Sequence, residues 1–288
     1  MAEQYKIIQL SIDDNRYPKH LRKIKRPPQS LYLIGNIELL KEPGIAVVGT
    51  RRCTSYGRWA AYEIGREIAS CGVTVVSGMA YGIDSRGHLG CLDAGGNTIA
   101  VLGTPIDRIY PKSNTELYKR IAEKGLIVSE YGPGEETGSW SFPERNRIIS
   151  GLSSKVVVVE GHLKSGSMIT AGLALEQNRD VFAVPGNINN MNAIGTNMLI
   201  RDGAIPITSI EEVPEILSIG VKRSFLKVLS SCSEDEQKIL MYIKVDGGAD
   251  IEKVALKLRM DIRNVSALVS ALELKGHIYR DGDRLYLN

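Results

Sequence analysis

KVVVVEGHLKSGSMITAGLALEQNRDVFAVPG, residues 155–186, decides the fold. Two β-branched runs, VVVV and VFAV, flank SMITAGLALEQN, whose apolar positions recur at helical spacing. Apolar runs without polar alternation suit strands buried on both faces, as in a parallel sheet. The segment therefore reads as strand, helix and parallel strand.

The same texture extends upstream. IAVVG (45–49), VTVVSG (73–78), NTIAVLG (97–103) and LIVSEY (126–131) are further runs, and WAAYEIGREIAS has helical spacing between the first two. Residues 44–217 are thus predicted to form an α/β domain with a doubly wound, mostly parallel sheet. Gly49, Gly78, Gly103 and Gly186 end their runs. In such a sheet the loops at the carboxyl ends of the strands converge on one crevice, the usual ligand site.

Either side of this block the pattern changes. Residues 1–43 read as a basic N-terminal arm, extended through YPKHLRKIKRPPQSLYLIGN, broken at Pro27 and Pro28, and packed on the body by Leu31, Tyr32 and Leu33. Residues 218–233 read as a linker. In 234–288, EDEQKILMYIK turns Ile239, Leu240 and Ile243 inward, IEKVALKLRM is a second helix, and DIRNVSALVSALELKG runs from an Asp261 cap to Gly276. Asp281-Gly282 between two short runs signals a hairpin. Three helices and a hairpin predict a small winged-helix-like domain.

Composition limits function. The 288 residues are 43% hydrophobic, enough for a sizeable core. The net charge of +3 leaves any basic site to local clustering. Cys53, Cys71, Cys91 and Cys232 form no C-x-x-C pair and the four histidines are scattered, so free thiols and no metal are expected. No run approaches the ~20 apolar residues of a membrane span, and the chain is expected to be cytoplasmic, with no cofactor.

The loop chemistry points to anions. In VVGTRRCTSYG (47–57), Gly49 and Thr50 lead to Arg51 and Arg52 before a helix starting near Thr54 or Ser55. Amides at a helix start and guanidinium forks suit phosphate. In SGMAYGIDSRGH (77–88), Asp84 or Ser85 reads as a helix cap. Lys112 in GTPIDRIYPKSN is either a charge at the crevice mouth or an exposed surface lysine. In SFPERNRIISGLS (141–153), Arg145 and Arg147 bracket Asn146. Residues two apart on a helix point in different directions, so one arginine can reach a ligand while the other is ion-paired. Phe142 is either a core residue or a base-stacking one. Lys164, Ser165, Gly166, Ser167 and Thr170 give the strongest phosphate cradle, at the start of a helix. There is no G-x-G-x-x-G, Walker A sequence or Ser-His-Asp order. Cations, hydroxyls and backbone donors without an acid–base pair favour holding phosphate over breaking bonds, and no catalytic residue is expected.

VVGTRRCTSYG, SGMAYGIDSRGH, YPKSN, SEYGPGE, FPERNRIISGLS, SGSMITAGLALEQNRDVFAVPG and GTNMLIRDGA together resemble the DprA (Smf) family over residues 17–215. The resemblance implies an extended Rossmann fold that binds single-stranded DNA, protects it and passes it to a RecA-type recombinase, notably for DNA taken up in natural transformation. It implies phosphate contacts at Arg51, Lys112 and Lys164–Ser167, with Arg145 and Arg147 in the same pocket, and a homodimer. The competing reading is a nucleotide-processing Rossmann enzyme of the phosphoribohydrolase type. Such enzymes use a P-G-G-x-G-T-x-x-E loop, where this chain has KSGSMITAGLALE.

Overall fold

Residues 5–219, 229, 232–246 and 248–287 are described by a computed structural model. The chain divides into two units, Met1–Gly220 and Val221–Asn288.

The first unit is built on nine strands: β1 Ile8–Ser11, β2 Ser30–Gly35, β3 Gly44–Val48, β4 Val75–Ser77, β5 Thr98–Leu102, β6 Leu126–Ser129, β7 Ser153–Val158, β8 Asp180–Ala183 and β9 Ile205–Pro206. Their order is β1-β2-β6-β5-β4-β3-β7-β8-β9. Every pairing from β6 to β9 is parallel. The chain winds outward from β3 to β6, returns to β7 beside β3, and winds the other way. The predicted doubly wound sheet is present, and its switch point lies between β3 and β7. Ligands bind at such a point because the two flanking loops leave in opposite directions and open a crevice.

The helices of this unit are α1 Lys19–Arg22, α2 Ser55–Ser70, α3 Ile83–Asp93, α4 Thr115–Lys124, α5 Ser141–Gly151, α6 Gly166–Glu176, α7 Ile194–Arg201 and α8 Val213–Ile216. Alternate residues of each strand serve opposite faces. Ala46 and Val48 join Ile148, Ile149 and Ala171 of α5 and α6. Ile45 and Val47 join Ala60, Ala61, Ile64 and Ile68 of α2. Both sets are buried, which is why these strands carry no polar alternation.

Helices α2 and α3 approach closely through glycines. A Cβ on Gly90 would lie 1.9 Å from the Tyr62 carbonyl oxygen, and one on Gly65 would lie 2.4 Å from that of Gly87. Backbone cannot yield as a flexible side chain does. Gly90→Ala is therefore expected to cost about 1–3 kcal/mol through overpacking, read as a lower midpoint in urea. An unchanged midpoint would contradict the rigidity of this contact.

The N-terminal segment corrects the expectation of an arm. β2 pairs antiparallel with β6, Leu33 opposite Val128, and β1 pairs antiparallel with β2. Leu10, Leu31 and Leu33 are fully buried in the α5–α6 face. The segment is extended and does pack through Leu31 and Leu33, but it does so as part of the sheet. The Pro27-Pro28 break falls in the connection before β2, where the Tyr17 hydroxyl donates to the Pro28 carbonyl at 2.8 Å.

In the second unit, helices Glu234–Asp246, Ile251–Leu258 and Ile262–Leu274 precede a hairpin of Ile278–Asp281 with Arg284–Leu287. Ala249 bridges Leu285. Ile239, Leu240, Ile243, Val265 and Leu285 form its core, and the Asp261 carboxylate accepts from the Arg263 amide at 2.9 Å. The expected linker, 218–233, lies mostly outside the described residues.

Candidate functional site

The loops after β3 and β7 meet at the switch point, and one carboxylate laces them. Glu160, 2% exposed, follows β7. Its carbonyl accepts from the Thr50 amide at 2.8 Å. Its side chain accepts from the Thr54 amide at 2.9 Å and the Thr54 hydroxyl at 2.5 Å. Thr54 in turn caps α2, accepting from the Gly57 amide at 3.0 Å. The helix thus starts where expected, with a cap that is itself held from across the switch point.

The floor is a buried arginine and a buried aspartate on either side of Gly78. Arg145, 4% exposed, reaches from α5 beneath the loop after β4. It donates to the Gly78 carbonyl at 2.9 Å and to the Val101 carbonyl. Asp84, 6% exposed, accepts from the Gly78 amide at 3.2 Å. A Cβ on Gly78 would lie 2.7 Å from both Arg145 Nη2 and Asp84 Oδ2, so a larger residue there would have to push one of these side chains aside. Burial lowers Arg145 to about 10, against the opposing pull of Asp84. Burial likewise raises Asp84 above the usual carboxylate range, while Arg145 and the amides of Ala80, Gly49 and Gly78 pull it back. The α3 cap position belongs to Gly82, so Asp84 holds the Gly78 amide where a helix cap was expected.

Above this floor opens a cavity of about 620 Å³. Of the predicted residues, Gly49, Thr50, Arg51, Arg52, Arg145, Asn146, Ser165, Gly166, Ser167 and Thr170 line it. Arg51 and Arg52 are exposed at the rim. The Asn146 amide donates to the Gly166 carbonyl at 3.2 Å, tying α5 to the start of α6. Ser165 and Ser167 pair their hydroxyls at 2.7 Å, and Thr170 donates to the Gly166 carbonyl at 3.2 Å.

Three predicted residues lie off this wall. Arg147 is spent on carboxylates, 2.6 Å from Glu130 and 3.0 Å from Glu144. Two steps of about 100° turn it to the opposite side of α5 from Arg145. Lys112 sits in a 3-10 turn, Lys112–Asn114, and is exposed beside the site. Lys164 is exposed on the loop before α6. The lining also includes Asn192 and Tyr110, which the sequence did not single out, and Phe142, which it left between the core and base stacking. Asn192 donates to the Arg52 carbonyl at 2.8 Å, and its own carbonyl accepts from the Gly161 amide at 2.7 Å. Tyr110 and Phe142 wall a side recess with ring centroids 5.2 Å apart, and the Arg51 guanidinium lies 5.3 Å from the Phe142 ring. Phe142 therefore reaches the site rather than the core alone.

These groups offer guanidinium, hydroxyl and amide donors to an anion, with aromatic faces alongside. Both buried carboxylates are engaged, Asp84 with backbone amides, Glu160 with Thr54. Among the described residues no His, Cys, Asp and Glu cluster could hold a metal ion, and no helix is long and apolar enough to cross a membrane.

The family described as DNA recombination-mediator protein A matches residues 9–218. DNA processing protein DprA of Streptococcus pneumoniae is 43% identical over 211 residues, 73% of this chain and 74% of that protein. Protein Smf of Synechocystis is 45% identical over 205 residues, 69% of this chain but 51% of that protein. Two solved structures share the fold. The S. pneumoniae DprA structure has a TM-score of 0.69 and covers 73% of this chain and 74% of its own. DNA processing protein A from Helicobacter pylori has 34% identity and a TM-score of 0.68, and covers 76% of this chain and 99% of its own. The H. pylori protein is described for its single-stranded DNA binding mode.

Proposed function

The chain belongs to the DprA (Smf) family, and from that premise we propose that it holds single-stranded DNA in the switch-point cavity and performs no catalysis there. The observation that carries this reading is the convergence of Arg51, Arg52 and Arg145 with the α6 start on one cavity. Phosphate oxygens take the guanidinium and amide donors. The Tyr110 and Phe142 rings offer stacking faces that tolerate any base. The single-stranded DNA binding described for the H. pylori relative supports the choice of ligand.

In the same proposal the protein is a cytoplasmic homodimer that protects the strand and helps load a RecA-type recombinase, as in natural transformation. Lys112 and Lys164 serve as longer-range charges at the cavity mouth. Arg147 acts through Glu130 and Glu144 on the placement of α5. The C-terminal helices and hairpin are a winged-helix-like module.

Arg51→Ala with Arg52→Ala is expected to weaken oligothymidylate binding roughly tenfold at physiological salt and to reduce the slope of log affinity against log salt by about 1.4, since each single-strand phosphate contact contributes about 0.7. Binding and slope unaffected by the pair would sink the site. Incubation with nucleoside monophosphates tests the competing enzyme reading, because release of free base would overturn the non-catalytic one.

A further inference from the structure

A second cavity, of about 800 Å³, lies at the far end of α6. Lys23, Lys25, Arg26, Arg147 and Arg179 line it, against the single carboxylate of Glu176. The whole chain carries a net charge of only +3, so this wall concentrates cations that elsewhere are balanced.

Ion pairs use part of that charge. Arg26 lies 3.5 Å from Glu144, and Arg147 is held by Glu130 and Glu144. Lys23 and Lys25 are exposed on a segment anchored by the buried Ile24 between them. Behind them the wall keeps unmet polar capacity. Arg147 Nη1, Arg179 Nε and Gln177 Oε1 are buried without a hydrogen-bond partner. Buried polar atoms are rarely left so, and a cluster of them beside a cavity calls for an explanation.

The two cavities share their helices. The first turn of α6 lines the first cavity through Gly166, Ser167 and Thr170, and its end lines the second through Leu173, Glu176 and Gln177. On α5, Asn146 faces the first and Arg147 the second. α6 has 11 residues, so at ~1.5 Å per residue the two ends stand roughly 16 Å apart. The second cavity has no aromatic side chain in its wall, so it offers charge without stacking.

We propose that this basic cleft is a second contact region for the phosphodiester backbone, engaged by the same strand that occupies the switch-point cavity once it is long enough to pass α6. The inference rests on the single-stranded DNA reading above. Contacts here are to phosphates, independent of sequence, and felt only by longer strands.

The test uses the full chain with Lys23→Ala and Lys25→Ala, both exposed and outside the first cavity. Oligothymidylates of about three and about twenty nucleotides are compared, because phosphates spaced at least ~3.4 Å along a strand let even about six nucleotides cross the length of α6, whereas three occupy one cavity only. The short strand should bind the variant as it binds the unaltered protein. The long strand should bind roughly tenfold more weakly, with a salt slope smaller by about 1.4. Unchanged binding of the long strand overturns the cleft and leaves the first cavity standing. Equal losses for both lengths also overturn it, since the lysines would then act on the whole site. Failure of the unaltered protein to bind either strand removes the underlying reading itself. Polyglutamate is the control for an acidic protein partner: if its binding is lost in the variant while the long strand is held, the cleft serves that partner and the proposal fails.

Discussion

An Arg145→Leu protein is expected to lose about 2–4 kcal/mol of stability, because the substitution removes a buried charged donor and, with it, the nearby cation that favours an ionised Asp84. The guanidinium also serves the Gly78 and Val101 carbonyls, and unsatisfied buried acceptors add to the cost. Asp84→Leu should be costly for the mirror reason. Removing both leaves no buried charge, so the double variant should lose less than the sum, with a coupling of about 0.5–3 kcal/mol. Both tryptophans, Trp59 and Trp140, lie in the first unit. Tryptophan fluorescence in urea therefore reports this unit for all four proteins. Additive losses would mean that Arg145 and Asp84 act independently. Because Asp84 also gathers the amides of Gly49, Gly78 and Ala80, the single variants should loosen the loops around the switch-point cavity before the unit melts. Weakened oligonucleotide binding should thus appear at urea concentrations that leave the unaltered protein fully competent.

What could be read before the fold was known depended on how local the cause was. β3, β5 and the Val156–Val158 end of β7 were legible because a strand covered on both faces runs apolar without alternation, and GIAVV and TIAVL are buried throughout. The α6 cradle was legible because Ser165-Gly166-Ser167 follows a strand and opens a helix. β2 was not, because its assignment depends on pairing with β6, some ninety residues on, and nothing in SLYLIG names that partner. The same distance hid Glu160 and Asn192, whose roles exist only after the switch point brings the β3 and β7 loops together. Arg145 and Arg147 were recognised as pointing apart. The carbonyls of Gly78 and Val101 that take Arg145, and the Glu130 that takes Arg147, come from the loop after β4, from β5 and from the loop after β6, which the helix does not encode, whereas Glu144 stands on α5 itself three residues before Arg147.

Acidification is expected to destabilise the first unit through His88, an effect the pocket chemistry does not anticipate. His88 is fully buried, with Nδ1 2.6 Å from the Thr98 hydroxyl. That hydroxyl donates its one proton to the Val75 carbonyl at 2.8 Å, so it must accept from His88. The proton therefore sits on Nδ1, and Nε2 is left buried without a partner. Protonating Nε2 would place a charge in the core, also repelled by Arg145. Burial, helped by Arg145, accordingly lowers the pKa from 6.5 to about 3. The unfolded chain binds this proton near 6.5 and the folded chain does not, so unfolding takes up a proton in between. The stability contributed is complete above about pH 6.5 and falls by about 1.4 kcal/mol per unit as the pH drops toward 3. His20, lowered to about 4 mainly by burial with Arg179 assisting, erodes stability in the same direction over the same window. From pH 6.5 to 4.5 the His88 share is roughly 2–3 kcal/mol, or about 5–10 °C in Tm for a unit of this size. His88→Asn keeps a donor near the Nδ1 position and cannot titrate. It should be less stable at neutral pH, from the volume lost, yet show a flatter decline between pH 6.5 and 4.5 than the unaltered chain. Parallel declines for the two proteins would show that carboxylates alone govern the acid limb.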